Sequence, residues 1–139
     1  MQEYREGDEI TVIPQDSVTS APELVRITGN IAYAHTDSTK SYLGERLVYG
    51  GHTISLAFAQ ILRAFPNSIT LVAWQKCDHL APVLEEDIIS SEIKIIRKKA
   101  IEKGGFLYQL FVKSKATRKL NEEISQHDVL EWELVLWSL

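Results

Sequence analysis

The chain has 139 residues, 45% of them apolar and 24% charged, so its size predicts a single domain over residues 1–139 and argues against a multidomain enzyme. Fifteen Lys and Arg against nineteen Asp and Glu give a formal net charge of −4, which argues against a nucleic-acid partner. The lone cysteine, the acidic opening and the absence of any apolar run near ~20 residues predict a cytoplasmic protein with no membrane segment.

The sequence pattern of residues 9–29 predicts an edge strand followed by a short helix. Residues 9–13 alternate between polar and apolar side chains, and a turn is expected at residues 14–17. The hydroxyl residue Ser20 then precedes a Pro and a Glu, which is a helix-start signal. We therefore expect a hydroxyl-capped helix over Ala21–Thr28, ended by Gly29 in a left-handed conformation.

The strongest periodic signal begins at Gly50 and Gly51. Apolar residues then recur at three- and four-residue spacing until Pro66 ends the pattern: Ile54, Ala57, Phe58, Ile61, Leu62 and Phe65. This spacing predicts a central helix. Because its other positions are mostly small or uncharged, we expect most of its circumference to be buried.

The sequence pattern of the rest of the chain is typical of β-strands. Four strands are predicted, at residues 69–74, 88–97, 106–113 and 129–137. A hairpin turn is expected at residues 99–105, and the polar residues 114–128 are expected to form a long exposed loop. One apolar helix followed by consecutive antiparallel strands indicates an α+β fold in which a single curled sheet wraps around the helix.

A first chemical constellation lies in residues 30–40, which we expect to face the surface. Asn30, His35 and Asp37 place an amide, an imidazole and a carboxylate within eight positions. An imidazole readily exchanges a proton near neutral pH, so His35 is a candidate acid–base, although a histidine in a loop is more often an ordinary surface residue. The chain has neither a His-x-x-x-His pair nor a second cysteine, so no metal site is predicted.

A second constellation comprises Tyr49, Gly50, Gly51 and His52 at the start of the predicted central helix. Helix N-termini carry free amide groups and the positive end of the helix dipole, and glycines allow a ligand to approach the backbone closely. Such a site stabilises a carbonyl oxygen that gains negative charge. The alternative is that the glycines only make a tight turn into the helix.

In this order and spacing, the two constellations resemble the hotdog-fold hydratases of the MaoC-like group. Within it, the chain is most similar to the carboxy-terminal half of the mesaconyl-CoA (2-methylfumaryl-CoA) hydratases. The resemblance is carried by residues 44–57, by Asp-His-Leu-Ala-Pro at 78–82 and by the closing residues 131–137, and it extends from about Tyr4 onward. It implies a single hotdog domain.

The resemblance also implies a set of site residues. The group's catalytic loop reads Asp-x-Asn-Pro-x-His-x-Asp; its His matches His35 and its last Asp matches Asp37, whereas its leading Asp falls on Asn30. His35 is then expected to act as the acid–base in adding water to, or removing it from, a 2-enoyl-CoA thioester. Branched and dicarboxylic acyl groups are among the expected substrates. An amide orients a water but accepts no proton from it, so Asn30 is expected only to hold the water.

The remaining implied residues surround the thioester. The amides of Gly50, Gly51 and His52 are expected to bind its oxygen, and Asp37, Tyr49 and His79 are further candidates for the pocket. No cofactor is expected beyond the coenzyme A of the substrate.

Two other functions stay open at this stage. A hotdog thioesterase is one, but many of these place a carboxylate on the central helix, and residues 46–77 contain no Asp or Glu. A non-catalytic acyl-CoA-binding or partner subunit is the other, favoured by Asn30. Because an open sheet leaves an unpaired edge and related proteins build their site between two hotdogs, we expect a homodimer or higher homo-oligomer, or pairing with a different hotdog chain.

Overall fold

The computed structural model describes residues 3–139. Its strands are β1 (Glu9–Thr11), β2 (Asp16–Ser17), β3 (Ser68–His79), β4 (Ile88–Ala100), β5 (Phe106–Leu120) and β6 (Glu123–Ser138). Its α-helices are α1 (Ala21–Thr28) and α2 (Gly50–Ala64), and two short 3-10 helices span Tyr33–His35 and Ser38–Lys40. The α+β prediction is confirmed. In this part of the chain, neither α-helix combines the length and the apolarity needed to cross a membrane.

The six strands form one antiparallel sheet in the order β1, β4, β5, β6, β3, with β2 also pairing with β4. Helix α2 packs on one face of this sheet. Ala57 and Ile61 of the helix, and Phe65 directly after it, join a single apolar core with the inward side chains of β4, β5 and β6. At the centre of that core, Trp132 is fully buried.

Helix α2 lies where the periodicity predicts it, and only Ser55, Leu62 and Arg63 of its residues are exposed. Its buried polar residue Gln60 is anchored to the sheet. The side-chain amide of Gln60 donates to Asp16 Oδ2 at 2.6 Å and to the carbonyl oxygen of Ile89 at 2.9 Å. These bonds fix the helix against β2 and β4.

Helix α1 has the predicted bounds, and Gly29 ends it in a left-handed conformation with φ 70°. The predicted hydroxyl cap is wrong. Ser20 itself is left-handed, with φ 56°, and its side chain makes no capping hydrogen bond. An N-cap side chain reaches the first helical amides from an extended backbone, and the left-handed turn at Ser20 departs from that conformation.

The exposed loop predicted at residues 114–128 is also wrong. Strands β5 and β6 continue through it and meet at a two-residue turn, Asn121 and Glu122, whose φ angles of 47° and 70° suit a tight hairpin. In β5 the burial alternates, with Ser114 and Ala116 fully buried. The polar residues between them occupy the other face, so polarity alone gave a misleading prediction.

The predicted turn at residues 14–17 is partly wrong, because Asp16 and Ser17 pair with Ile89 and Ile88 as β2.

Strand β3 is longer than predicted and forms one edge of the sheet. Its pairing with β6 is interrupted by register shifts at three places, between Ser68 and Thr70, between Leu71 and Ala73, and between Trp74 and Lys76. Directly opposite residues in an antiparallel pair share a face. Leu71, Trp74, Cys77 and His79 lie opposite the inward residues Leu136, Leu134, Trp132 and Leu130. The last residue of β3, His79, therefore lies on the face that carries α2, although the residue is still exposed to solvent.

Candidate active site

His35 is held by a hydrogen bond to a backbone carbonyl. Its Nδ1 lies 2.7 Å from the carbonyl oxygen of Leu47, and the Leu47 amide donates to the carbonyl oxygen of Ala34 at 2.9 Å. A carbonyl oxygen only accepts hydrogen bonds, so Nδ1 carries the hydrogen. In the neutral imidazole, Nε2 then has a free lone pair, which is the form a general base requires.

The start of α2 provides two backbone donors. Within residues 3–139, no protein group accepts a hydrogen bond from the amide of Gly50 or of Gly51. The amide of His52 differs, since it donates to the carbonyl oxygen of Tyr49 at 2.8 Å. The His52 amide is thus already engaged within the protein, and the donors left free at this helix end are those of the two glycines; binding of the thioester oxygen by the His52 amide stays a prediction.

Both glycines are closely approached by rings of the protein itself. A Cβ on Gly50 would lie 2.8 Å from Nε2 of His79, and a Cβ on Gly51 would lie 2.7 Å from the hydroxyl oxygen of Tyr49. The Tyr49 ring also meets the His35 ring edge-on, with 6.0 Å between centroids. A side chain on either glycine would therefore force the neighbouring ring to move.

A cavity of about 380 Å³ lies between the His35 loop, the start of α2 and the segment after β3. Its walls are largely apolar, and four polar side chains face it. The lining residues are His35, Tyr42, Leu47, Val48, Gly50, Thr53, His79, Leu80, Ala81, Pro82 and Val83. A larger cavity of about 930 Å³, near the β5–β6 turn, is lined by none of the predicted site residues.

The cavity is lined by three predicted site residues that come from three separate segments of the chain: His35, Gly50 and His79. It also includes residues that were not among the candidate site residues. Thr53 follows Gly50 by three positions and so shares its helix face, a spacing that was available in the sequence. Residues 80–83 follow His79 directly, and their chain position alone did not reveal that they line a cavity.

Asn30 and Asp37 do not line this cavity. The Asn30 side-chain oxygen accepts from the Ala32 amide at 3.0 Å. Asp37 Oδ1 accepts from the hydroxyl of Thr39 at 2.6 Å and from its amide at 3.0 Å, and these bonds hold the pKa of Asp37 below its ordinary range. Both side chains stabilise the local backbone, as short polar side chains in loops often do.

The His52 side chain is buried away from the cavity. It is only 8% exposed, and its Nδ1 has no hydrogen-bond partner in the described residues. Burial lowers the pKa of His52, because the imidazolium form loses its solvation there. Among residues 3–139, no three His, Cys, Asp or Glu side chains cluster in a way that suits a metal ion.

No protein-family model matches the chain. It is 29% identical to mesaconyl-CoA hydratase of Cereibacter sphaeroides over 69% of its length, and 27% identical to β-methylmalyl-CoA dehydratase of Chloroflexus aurantiacus over 84%. A conserved hypothetical protein of Mycobacterium tuberculosis with a double hotdog fold superposes on 96% of the chain, with a TM-score of 0.85 and 40% identity. The chain has a hotdog fold.

A further solved structure agrees with this fold. A MaoC-domain dehydratase described as putative, from Chloroflexus aurantiacus, superposes on 97% of the chain with a TM-score of 0.79 and 23% identity. Together with the two curated relatives, which are named for hydration and dehydration of CoA thioesters, this confirms the resemblance inferred from the sequence. The hotdog domain spans only part of these proteins: 29% and 34% of the two curated relatives, and 39% and 43% of the two solved structures.

Proposed function

We propose that this hotdog domain catalyses the addition of water to a 2-enoyl-CoA thioester, or the reverse dehydration, with His35 as the acid–base. The observation that carries the proposal is the hydrogen bond from His35 Nδ1 to the Leu47 carbonyl oxygen. That bond leaves Nε2 free to take a proton in an apolar cavity beside an unsatisfied helix N-terminus.

The chemistry assigns a role to each group. His35 Nε2 takes a proton from water as the water oxygen attacks C3 of the enoyl group. The electron pair of the double bond moves toward the thioester, whose oxygen becomes an enolate. The amides of Gly50 and Gly51 are suited to donate to that oxygen, and one donor of this kind is typically worth about 3 kcal/mol of transition-state stabilisation.

The relatives support this reaction class. One is named for hydration and the other for dehydration of a CoA thioester, and these are opposite directions of one reaction type. The names also suggest methyl-branched dicarboxylic acyl groups. The cavity walls formed by Leu47, Val48, Leu80 and Pro82 favour an apolar acyl group such as a branched enoyl chain.

We infer that a second hotdog domain lies along β3. This strand pairs only with β6 among the described residues, and its apolar residues Ile69, Val72 and Trp74 are 49%, 51% and 53% exposed. Unpaired apolar edges favour association. The double hotdog fold of the M. tuberculosis relative offers a precedent. The second domain would be either another copy of this chain or a different hotdog chain. Measuring the mass of the protein in solution, alone and with candidate partners, tests whether it associates.

The experiment that tests the reaction is a screen of enoyl-CoA thioesters for loss of the conjugated double bond, followed by absorbance. Crotonyl-, branched enoyl- and mesaconyl-CoA form the substrate panel. Hydration by the wild type, abolished in His35→Gln and retained in the exposed-strand control His127→Gln, is the expected result. Release of free CoA without prior hydration would establish a thioesterase instead, and binding without turnover would establish a non-catalytic subunit.

A further inference from the structure

Hydration needs two proton transfers, one away from water and one to C2, and the role proposed for His35 covers the first. After water attacks C3, the enolate must receive a proton at C2, while His35 holds the proton taken from water. Asn30 is an amide, which does not act as an acid, and it lies outside the cavity. Among the described cavity-lining residues, the side chains that titrate are His35, Tyr42 and His79. Of these, only the two imidazoles ordinarily exchange protons near neutral pH.

We propose that His79 is this second acid–base group and protonates C2 of the enolate; the assignment rests on the proposed function. His79 ends β3 opposite the inward-facing Leu130 and reaches the first residue of α2, Gly50. That helix end holds the amides assigned to the thioester oxygen, which is two bonds from C2. His79 thus reaches the cavity from a different segment of the chain than the His35 loop.

The ring of His79 is available for this role. Within residues 3–139, no hydrogen bond or ion pair engages it, whereas His35 is tied to Leu47 and His52 is buried away from the cavity. Gly50 leaves the space the ring occupies, because any larger residue there would collide with Nε2 and Cε1. The glycine is therefore matched to an imidazole that lies at the cavity wall.

The protons balance across the step. Water forms a C3–O bond and gives one proton to Nε2 of His35; the C2=C3 electron pair becomes the enolate; the imidazolium of His79 gives its proton to C2 as the thioester carbonyl re-forms. The substrate has gained one water. His35 is then protonated and His79 neutral, and exchange with solvent restores both. Dehydration runs through the same groups in reverse.

The test compares the pH profiles of kcat/KM for wild type, His35→Gln, His79→Gln and His127→Gln on the enoyl-CoA that wild type turns over best. We expect a bell-shaped wild-type profile, because hydration needs His35 neutral and His79 protonated. His79→Gln should lower kcat by about 10²-fold with little change in KM and should remove the alkaline limb. His35→Gln should show no measurable hydration at any pH, and the control should match wild type.

The outcomes separate the two proposals. Normal rates and an unchanged alkaline limb in His79→Gln, with His35→Gln inactive, would overturn the role of His79 and leave the hydratase intact. Lack of hydration by wild type on the whole panel would overturn both. His79→Asn serves as a second variant that keeps a polar side chain, and thermal unfolding checks that each variant is folded.

Discussion

The imidazole of His79 occupies the space that a side chain on Gly50 would need: a Cβ there would lie 2.8 Å from Nε2 and 2.9 Å from Cε1. The two residues join the last position of β3 to the first position of α2. This contact forms one wall of the cavity that also contains His35. A substitution at either residue should therefore change the shape of the cavity beside His35.

Gly50→Ala should lower activity with little loss of stability. Alanine is better than glycine within a helix by roughly 0.5–1 kcal/mol, which offsets the cost of turning the His79 ring aside. Steady-state kinetics and thermal unfolding measure the two effects. In a double-mutant cycle with His79→Ala, the Gly50 change should add little further loss, and full additivity would show that it acts elsewhere.

Gly51→Ala should destabilise the domain by about 1–3 kcal/mol, because a Cβ there overlaps the ring of Tyr49. The Tyr49 ring also meets the His35 ring edge-on, so moving it aside disturbs that contact. Urea unfolding of Gly51→Ala in the wild-type and Tyr49→Ala backgrounds provides the measurement. The penalty should largely disappear in the second background, and equal penalties in both would contradict the steric explanation.

The Asp87–Arg118 ion pair should contribute strongly to stability. The Asp87 side chain is 1% exposed, accepts two hydrogen bonds from Arg118 at 2.7 Å and accepts the Leu84 amide at 2.9 Å. Asp87→Ala leaves the guanidinium without its partner, and we expect a loss of about 3–5 kcal/mol in urea unfolding. The double variant with Arg118→Met should lose less than the sum of the single variants; strict additivity would exclude coupling.

The buried His52 should make stability depend on pH. Burial lowers its folded-state pKa below the ordinary value of 6.5, so below that pH the unfolded chain binds the proton first. The contribution of His52 is thus complete above pH 6.5 and declines as the pH falls toward the folded-state pKa. Unfolding free energies at a series of pH values should fall less steeply in His52→Leu than in wild type. His127→Gln is the control for an exposed histidine.

Glu122→Gly should stabilise the β5–β6 hairpin. Glu122 has φ 70° at the second turn position, a left-handed conformation that costs a residue with a Cβ roughly 1–2 kcal/mol. Asn121 before it already suits the turn, and Asn-Gly is the favoured pair. A rise in thermal midpoint is expected, and an unchanged or lower midpoint would show that the turn is not strained at this position.

The sequence predicts the parts of the fold that depend on local signals. Helix α2 follows from its apolar spacing, and the end of α1 follows from Gly29. The extension of β5 through Ser114 was missed because its alternation becomes visible only once the facing strand is known. Strand pairing is a non-local property, so polar residues on an exposed face resemble a loop in the sequence.

The sequence predicts the candidate active site only in part, as it does the fold. His35 and Gly50 stand in motifs that the sequence presents, and the cavity contains both. Asn30 and Asp37 share the motif, yet their oxygens are taken by nearby backbone amides. The orientation of His79 toward α2 depends on the register shifts of β3. No periodic pattern in the sequence predicts those shifts.

Those shifts have a further consequence for the outer edge of β3. A regular unpaired edge offers evenly spaced donors and acceptors, and any extended peptide can pair with it. In β3, residues 69, 72 and 75 fall between paired positions, so the edge is broken every three residues. A strand must carry a complementary irregularity to dock along its whole length. The same bulges that turn His79 inward thus make the edge selective for a matching partner and a poor template for aggregation.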